Sequence, residues 1–203
     1  MGEIKVTSIK SEEYDQNCYL ITKDGKGLLI DPGPDTDKIK KAIEGIEVNY
    51  IFLTHCHYDH IWSVNALKEG RTIICPTICL WNMENPRISL CDPEHVPVDF
   101  KTENVVNDRV REYDGINVGC FYTPGHTDDS VCYLTDVGVF TGDTLFRGNV
   151  GRWDLPSGNF DKLKNSVQML CDIQWNLDVY PGHGPKSTIE EERKNNYFGE
   201  EDL

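Results

Sequence analysis

Thr54-His55-Cys56-His57-Tyr58-Asp59-His60 is the stretch of this sequence that decides the fold, because it places four potential metal ligands in one turn. It directly follows residues 48–53, whose apolar character predicts a buried strand. Neutral imidazole and carboxylate groups are the ligands that Zn²⁺ and similar ions prefer. The pattern therefore predicts a metal site at the end of a strand.

Three polar residues elsewhere in the chain favour the same site. His126 and His183 each follow a Pro-Gly pair, and Asp143 follows Thr141-Gly142 after an apolar stretch. Glycine allows the backbone to approach a neighbour closely, and loops held by a rigid sheet commonly carry binding groups. A lone histidine is more often structural, so we expect His95 to be a packing residue.

Length and composition limit the class of protein. The chain has 203 residues, 38% of them hydrophobic, which predicts one domain over residues 1–203. Its formal charge of -14 argues against binding to nucleic acid, which requires basic residues. No apolar run reaches the roughly 18 residues of a membrane span, and the N-terminal residues lack the order of a signal peptide. We therefore expect a soluble, cytoplasmic protein with no membrane partner.

The eight cysteines predict reduced thiols, because no secretory signal accompanies them. Cys75 and Cys79, with Cys91 beyond them, could form a thiolate metal site. Their spacing differs from the two-residue gap of common zinc sites and their surroundings are apolar, which favours buried free thiols. Cys56 lies between two proposed ligands, and the alternation of side chains in an extended turn predicts that it faces away from the metal.

Periodicity and turn residues predict alternating strands and helices. We expect strands at residues 4–6, 17–21, 27–30, 50–53, 119–122, 130–134, 138–140 and 179–180, and helices at 37–44, 61–68 and 160–170. His60 would then lie near the N-terminus of a helix. Thr188 and Glu191 have the spacing of a capping box that opens a terminal helix. Three prolines interrupt residues 76–112, which predicts a flexible or substrate-facing segment.

Together these motifs resemble the metallo-β-lactamase superfamily, whose signature is His-x-His-x-Asp-His. The resemblance extends over most of the chain and keeps the family's order: Asp31-Pro32-Gly33, residues 54–60, Thr123-Pro124-Gly125-His126-Thr127, Thr141-Gly142-Asp143 and Pro181-Gly182-His183-Gly184. It implies an α/β fold, the four-layer αβ/βα sandwich of two mixed β-sheets with helices outside. The metal site would lie along one edge of the sheets.

The resemblance also implies a role for each site residue. His55, His57 and His126 would bind a first divalent metal ion, and Asp59, His60 and His183 a second, with Asp143 bridging them and Asp31 supporting the ligands from behind. Zinc is the first expectation for both ions, with iron and manganese as alternatives. Metal coordination lowers the pKa of water from about 15.7 to about 7, so a bridging hydroxide would attack a carbonyl, and Asp59 would orient it or move its proton.

Residues 142–156, which include Gly151-Arg152-Trp153-Asp154, resemble the glyoxalase II-like branch of this superfamily. That branch hydrolyses thioesters such as S-lactoylglutathione, which implies a small-molecule thioester substrate. Arg152 has two possible roles: it pairs with Asp154 as a structural residue, or it binds a substrate carboxylate. Full-length glyoxalase II has a basic C-terminal extension that binds glutathione, whereas residues 184–203 are acid-rich. We therefore expect a compact single-domain thioesterase, with the thiol carrier left open.

Other functions remain as alternatives. The same motifs also resemble those of persulfide dioxygenases, which use one iron. By that resemblance, His55, His126 and Asp143 would hold the iron. A non-catalytic metal-binding module is a more distant alternative, because the ligand set is complete. A β-lactamase is disfavoured, since those enzymes usually have cysteine at the position of Asp143 and act outside the cytosol.

Overall fold

In the computed structural model, which describes residues 2–105, 107 and 109–196, two six-stranded sheets form the centre of the protein. The first sheet has the order β1-β2-β3-β4-β5-β6, and the second has the order β12-β11-β10-β9-β8-β7. Each contains both parallel and antiparallel neighbours. The strands are β1 Lys5–Lys10, β2 Asn17–Lys23, β3 Lys26–Ile30, β4 Glu47–Phe52, β5 Thr72–Cys75, β6 Lys101–Asn104, β7 Val110–Tyr113, β8 Ile116–Tyr122, β9 Val131–Thr135, β10 Gly138–Gly142, β11 Asp178–Pro181 and β12 Ser187–Thr188.

Helices cover the outer faces of both sheets. They are α1 Thr36–Ala42, α2 Tyr58–Ile61, α3 Val64–Leu67, α4 Thr77–Met83, α5 Pro86–Ser89, α6 Phe160–Cys171 and α7 Ile189–Asn195. One core cluster packs helices of the first half on the first sheet, and another packs α6 and α7 on the second. A third lies between the sheets, where Phe52 contacts Tyr113 and Tyr133 edge to face. This arrangement confirms the predicted αβ/βα sandwich.

The hydrophobic pattern explains the strands on which this core depends. β2 and β3 are buried on both faces and read as nearly continuous apolar runs, as expected for central strands. A hairpin turn joins them at Asp24-Gly25, where both residues have positive φ. Among the described residues, no helix has the length and apolar character to span a membrane.

One prediction about secondary structure was wrong. Residues 61–68 do not form one helix, because the Ser63 N–H bonds to the Pro32 carbonyl (2.8 Å) and the Ser63 hydroxyl bonds to the Gly33 carbonyl (2.6 Å), which separates α2 from α3. His60 lies within α2, after its first turn has begun. Residues 76–112 include α4, α5, β6 and part of β7, and Pro86 lies in the first turn of α5, where a helix tolerates proline. Their flexible or substrate-facing role stays a prediction.

Candidate metal centre

The ends of four strands carry the candidate ligands. Residues 55–60 follow β4 in the first sheet and lead into α2, while His126, Asp143 and His183 follow β8, β10 and β11 in the second. β10 and β11 are parallel neighbours, with Phe140 opposite Tyr180, so their C-terminal ends lie side by side. The site therefore lies where the edges of the two sheets meet.

The structure brings the predicted ligands into three overlapping groups. Within each group the possible ligand atoms lie within 4.8 Å of one another. The groups are His55, His57 and His126; His55, His60 and Asp143; and Asp59, His60 and His183. Asp143 links the other two groups, because its Oδ2 lies 3.5 Å from both His126 Nε2 and His183 Nε2, and its Oδ1 lies 3.3 Å from His60 Nε2. The assignment of these residues as ligands remains a prediction.

Hydrogen bonds outside the cluster orient the imidazoles of its second-sheet ligands. His126 Nδ1 donates to the Arg152 carbonyl at 2.7 Å, and His183 Nδ1 donates to the Tyr14 carbonyl at 3.0 Å. A carbonyl only accepts, so each Nδ1 carries the proton and each Nε2 presents its lone pair to the cluster when the ring is neutral. Such outer partners fix the tautomer that a metal requires.

Asp31 orients the imidazoles that follow the first sheet. Its carboxylate accepts hydrogen bonds from the Thr54 backbone N–H (2.7 Å), the Thr54 hydroxyl (2.6 Å) and His60 Nδ1 (2.9 Å). Because the Thr54 hydroxyl donates to Asp31, it accepts from His55 Nδ1 at 3.1 Å. One buried carboxylate thus orients two imidazoles and the turn between them. The role of Asp31 as a support of metal ligands stays a prediction.

Electrostatics divide the cluster into two parts. Burial is the main reason that the pKa of His55 lies well below its usual value, and neighbouring imidazoles lower it further. Burial and His126 likewise lower the pKa of His57 to about 3. These two rings are neutral at physiological pH and offer lone pairs, as ligands of a borderline metal must.

The second part attracts positive charge. Burial alone would lower the pKa of His60 and His183, but carboxylates outweigh it: Asp143, Asp59 and Asp31 raise that of His60 well above its usual value, and Asp143 and Asp59 raise that of His183 to about 10. Burial raises the pKa of Asp143, but His60 and His183 outweigh it and hold that pKa well below its usual range. The same attraction would favour a metal cation in place of the protons.

One unsatisfied atom tests whether a metal fits. His55 Nε2 is buried and has no hydrogen-bond partner, whereas His57 faces the cluster with Nδ1, 2.8 Å from His126 Nε2. Buried polar groups are ordinarily paired, and an orphaned one costs about 1–3 kcal/mol. A cation within the cluster would supply the missing partner, so the donor set fits divalent metal binding.

Gly142 and Gly182 allow the close approach that brings the loops together. Gly142 has a φ of +48°, and a Cβ on it would overlap the Thr54 side chain. A Cβ on Gly182 would overlap the Asp143 carboxylate and the His60 ring. The predicted role of Gly142 in close backbone approach is therefore confirmed.

The other singled-out residues lie outside the cluster. Arg152 makes a two-point ion pair with Asp154, with both N–O distances at 2.9 Å, and its carbonyl faces His126. This ion pair agrees with a structural role for Arg152, and the role of Arg152 in binding substrate stays a prediction. Cys56 packs in the core away from the ligands, as predicted, and His95 stacks on Trp62. Cys75, Cys79 and Cys91 are buried free thiols, as predicted.

Sequence reasoning missed Asp129. This carboxylate is 1% exposed, lies three residues after His126, and has no hydrogen-bond partner on either oxygen. Burial raises its pKa, and the polar groups of Thr127, Cys79 and Asn82 offset only part of that effect. Nothing in the local sequence distinguishes it from the exposed acids of an acidic chain.

Comparison with known proteins identifies a family that this chain matches. The family model described as the metallo-beta-lactamase superfamily matches residues 12–73 and 121–183, which contain all the candidate ligands. The hydroxyacylglutathione hydrolase GloC of Haemophilus influenzae is 30% identical over 203 residues, covering 91% of this chain and 92% of that protein.

Two solved structures are similar over nearly the whole chain. BLEG-1, a B3 metallo-beta-lactamase, has a TM-score of 0.83 and 26% identity, and the match covers 97% of this chain and all of that one. The protein TTHA1623 in a di-iron-bound form has a TM-score of 0.82 and 27% identity, covering 95% of this chain and 99% of that one.

Proposed function

The chain belongs to the metallo-beta-lactamase superfamily, and from that premise we propose that it is a thioesterase that uses two divalent metal ions. The superfamily and the hydrolase named among the relatives support the reaction class, a metal-dependent hydrolase. The thioester substrate, the number of ions and the order of preference among zinc, iron and manganese are the proposed part.

The arrangement of the imidazoles carries the proposal. His55, His60, His126 and His183 each have Nδ1 bound to an outer oxygen, so that every Nε2 faces a cluster that also holds two carboxylates. His55 Nε2 is buried without a hydrogen-bond partner, and a histidine needed only for packing would have no reason to leave it unpaired.

When bound, divalent metal ions lower the pKa of coordinated water to about 7 and polarise a carbonyl group. Asp143 holds the two ligand sets together through its contacts with both. Asp59 is placed to handle the proton: its Oδ2 lies 3.2 Å from His183 Nε2, and their side chains retain 13% and 24% of their exposure. That exposed side of the cluster would admit substrate, and Asp59 would pass a proton to the leaving group there.

A thioester suits these residues because a thiolate leaves readily and needs little help from a general acid. The relative named a hydroxyacylglutathione hydrolase supports the same substrate class.

Metal analysis followed by a thioester panel tests the proposal. Purified protein should contain about two divalent ions per chain and hydrolyse thioesters in a reaction that chelation abolishes. His57→Ala should lose much of its metal and nearly all turnover. His95→Ala is the matched control and should keep both, because His95 stacks on Trp62 outside the cluster.

The same measurements separate the alternatives. A single Fe²⁺ per chain with oxygen consumption on a glutathione persulfide would replace the hydrolase with a dioxygenase. Rapid hydrolysis of nitrocefin would favour a β-lactamase, and wild-type rates in His57→Ala would refute the ligand assignment.

A further inference from the structure

The segment from Asp143 to Arg152 meets the candidate metal centre at three points. It begins at Asp143 itself, and the Arg152 carbonyl at its other end accepts a hydrogen bond from His126 Nδ1 at 2.7 Å. Between these ends, the Phe146 ring contacts the His183 ring edge to face, with centroids 5.8 Å apart. The path of this segment therefore affects three candidate ligands at once.

The base of the segment is closely packed. The Gly151 N–H donates to the Asp143 carbonyl at 3.1 Å, and a Cβ on Gly151 would overlap both that carbonyl and the His126 ring. Above this base, residues 146–149 form a hairpin whose end residues pair through their backbones, with N–O distances of 2.9 and 3.4 Å. A shift of the hairpin would therefore be passed to the ligands, because its base already contacts them.

Helix α7 holds the outer end of this hairpin. The Gly148 N–H donates to Glu192 Oε2 at 2.8 Å. The Asn196 side chain donates to that same oxygen and to the Asn149 carbonyl, both at 3.0 Å. The hairpin is thus fixed at one end by the metal centre and at the other by α7.

The Glu192 carboxylate is the buried part of this contact. It is 1% exposed, and its Oε1 accepts a hydrogen bond from the Ser187 hydroxyl. Its donors are a backbone amide, a side-chain amide and a hydroxyl, which are all uncharged. Burial of a carboxylate is costly unless hydrogen bonds satisfy it. Because these bonds form only when the hairpin lies in this position, the carboxylate restricts the hairpin more strictly than an exposed contact would.

We infer that Glu192 is a positioning residue for the metal centre, acting through the hairpin on Asp143, His126 and His183. The inference rests on the metal binding in the proposed function and adds to it a residue outside the ligand cluster. Loss of the carboxylate would release the outer end of the hairpin, so that the groups contacting His126 and His183 would no longer be fixed. Groups that orient metal ligands from behind affect metal affinity about 10–100-fold, and Glu192 should lie at the lower end because it acts through a hairpin.

Calorimetric titration of metal-free protein with Zn²⁺ tests this role. Glu192→Ala should weaken Zn²⁺ binding about tenfold relative to wild type. Glu192→Gln should stay within about twofold of wild type, because an amide oxygen can accept from the Gly148 N–H and the amide nitrogen can donate to the Ser187 hydroxyl. This rescue would show that the hydrogen bonds matter and the charge does not.

Glu191→Gln is the matched control. Glu191 is the neighbouring residue on α7 and contacts the same hairpin, through an ion pair with Arg147 at 2.8 Å. The two side chains are 36% and 51% exposed, and exposed ion pairs contribute little. Glu191→Gln should therefore change Zn²⁺ affinity less than about twofold.

Imidazole NMR of the metal-free protein supplies a readout that depends on neither metal nor turnover. In Glu192→Ala the ring resonances of His126 and His183 should shift, while those of His95, which stacks on Trp62, should stay in place. A residue that only stabilises the fold would lower the free energy of unfolding without moving the ring resonances of the folded protein.

Asn196→Ala covers the case in which Glu192→Ala does not fold. It removes the hydrogen bonds to Glu192 and to the Asn149 carbonyl but keeps the buried carboxylate, so Zn²⁺ binding should weaken about twofold to fivefold, with smaller shifts of the same resonances. Unchanged affinity and resonances in the variants would overturn the inference, as would an equal loss in Glu191→Gln. If the expected losses appear but wild type hydrolyses no thioester, the proposed reaction fails and the positioning role stands. A wild type that binds no Zn²⁺ would overturn both.

Discussion

Asp129 should make the stability of the protein depend on pH. Its pKa is raised by burial, so the folded state keeps the proton at a pH where the unfolded chain, with an aspartate pKa of about 3.9, has lost it. The free energy of unfolding contributed by this group therefore falls as the pH rises from about 4 through the raised pKa. Asp129→Asn, which does not titrate, should gain stability over wild type as the pH increases.

Chemical denaturation at pH 5 and pH 8, with metal held constant, measures this gain. It should amount to about 1.4 kcal/mol for every tenfold increase in the proton affinity of Asp129. Asp37→Asn, at an exposed position of α1, controls for the loss of one negative charge. An Asp129→Asn variant that is equally destabilised at both pH values would show that the carboxylate is ionised and paired.

Gly182 should be required for metal binding on purely steric grounds. Its φ is not in the left-handed region, but a Cβ there would overlap Asp143 and His60. Gly182→Ala should therefore displace these side chains and lose most of the bound metal, measured by elemental analysis. Gly184→Ala is the contrast: Gly184 has a φ of +75° and open space around it, so the variant should lose some stability but retain its metal. Full occupancy in Gly182→Ala would contradict the assigned geometry.

At the scale of elements, the N-terminus of α6 supports the loop that carries His126. The Asn159 side chain accepts from the Lys162 N–H at 2.9 Å and caps the helix, while its backbone N–H donates to the Gly125 carbonyl at 2.8 Å. Asn159→Ala removes only the cap and should lower the free energy of unfolding by about 1 kcal/mol while metal occupancy stays at the wild-type level. Asn159→Asp, which can still cap, should restore most of the stability in denaturant titrations. A loss of metal in Asn159→Ala would show that the side chain also positions His126.

Elements with a clear period were predictable, and those shaped by distant contacts were not. The helix at residues 160–170 was placed correctly because its apolar positions recur at helical spacing, and Thr188 caps α7 as its spacing with Glu191 predicts. The division between α2 and α3 depends on a bond from Ser63 to Pro32, which no local pattern reveals. β5 was missed because a short apolar run beside charged residues has no distinctive period.

The candidate site was predictable to the extent that side chains form it. Histidines and aspartates after strands point to a shared edge, and all of them converge there. The groups that orient them are partly backbone: the carbonyls of Tyr14 and Arg152 have no signature in the sequence. For Arg152, the motif indicated the residue but not the group that contacts the site. Its carbonyl faces His126, whereas its guanidinium pairs with Asp154.

At the scale of the whole molecule, metal binding should stabilise both sheets together. The group with His55 and His57 from the first sheet is completed by His126 from the second, and the group with Asp59 and His60 is completed by His183. Unfolding of either sheet would therefore disrupt both groups. Because only the folded state holds the ligands together, bound metal adds its binding free energy to the stability of the fold.

Thermal unfolding with and without chelator should reveal this coupling. A free metal concentration about 100 times the dissociation constant adds about 2.7 kcal/mol for one site, which for a chain of this length raises Tm by about 5–10 °C. Hydrogen exchange should show the added protection in β4 and in β10 alike. His183→Ala should lose most of the shift, whereas His95→Ala should keep it. Protection confined to one sheet, or a Tm that chelation leaves unchanged, would mean that the ligands of the two sheets do not share the same ions.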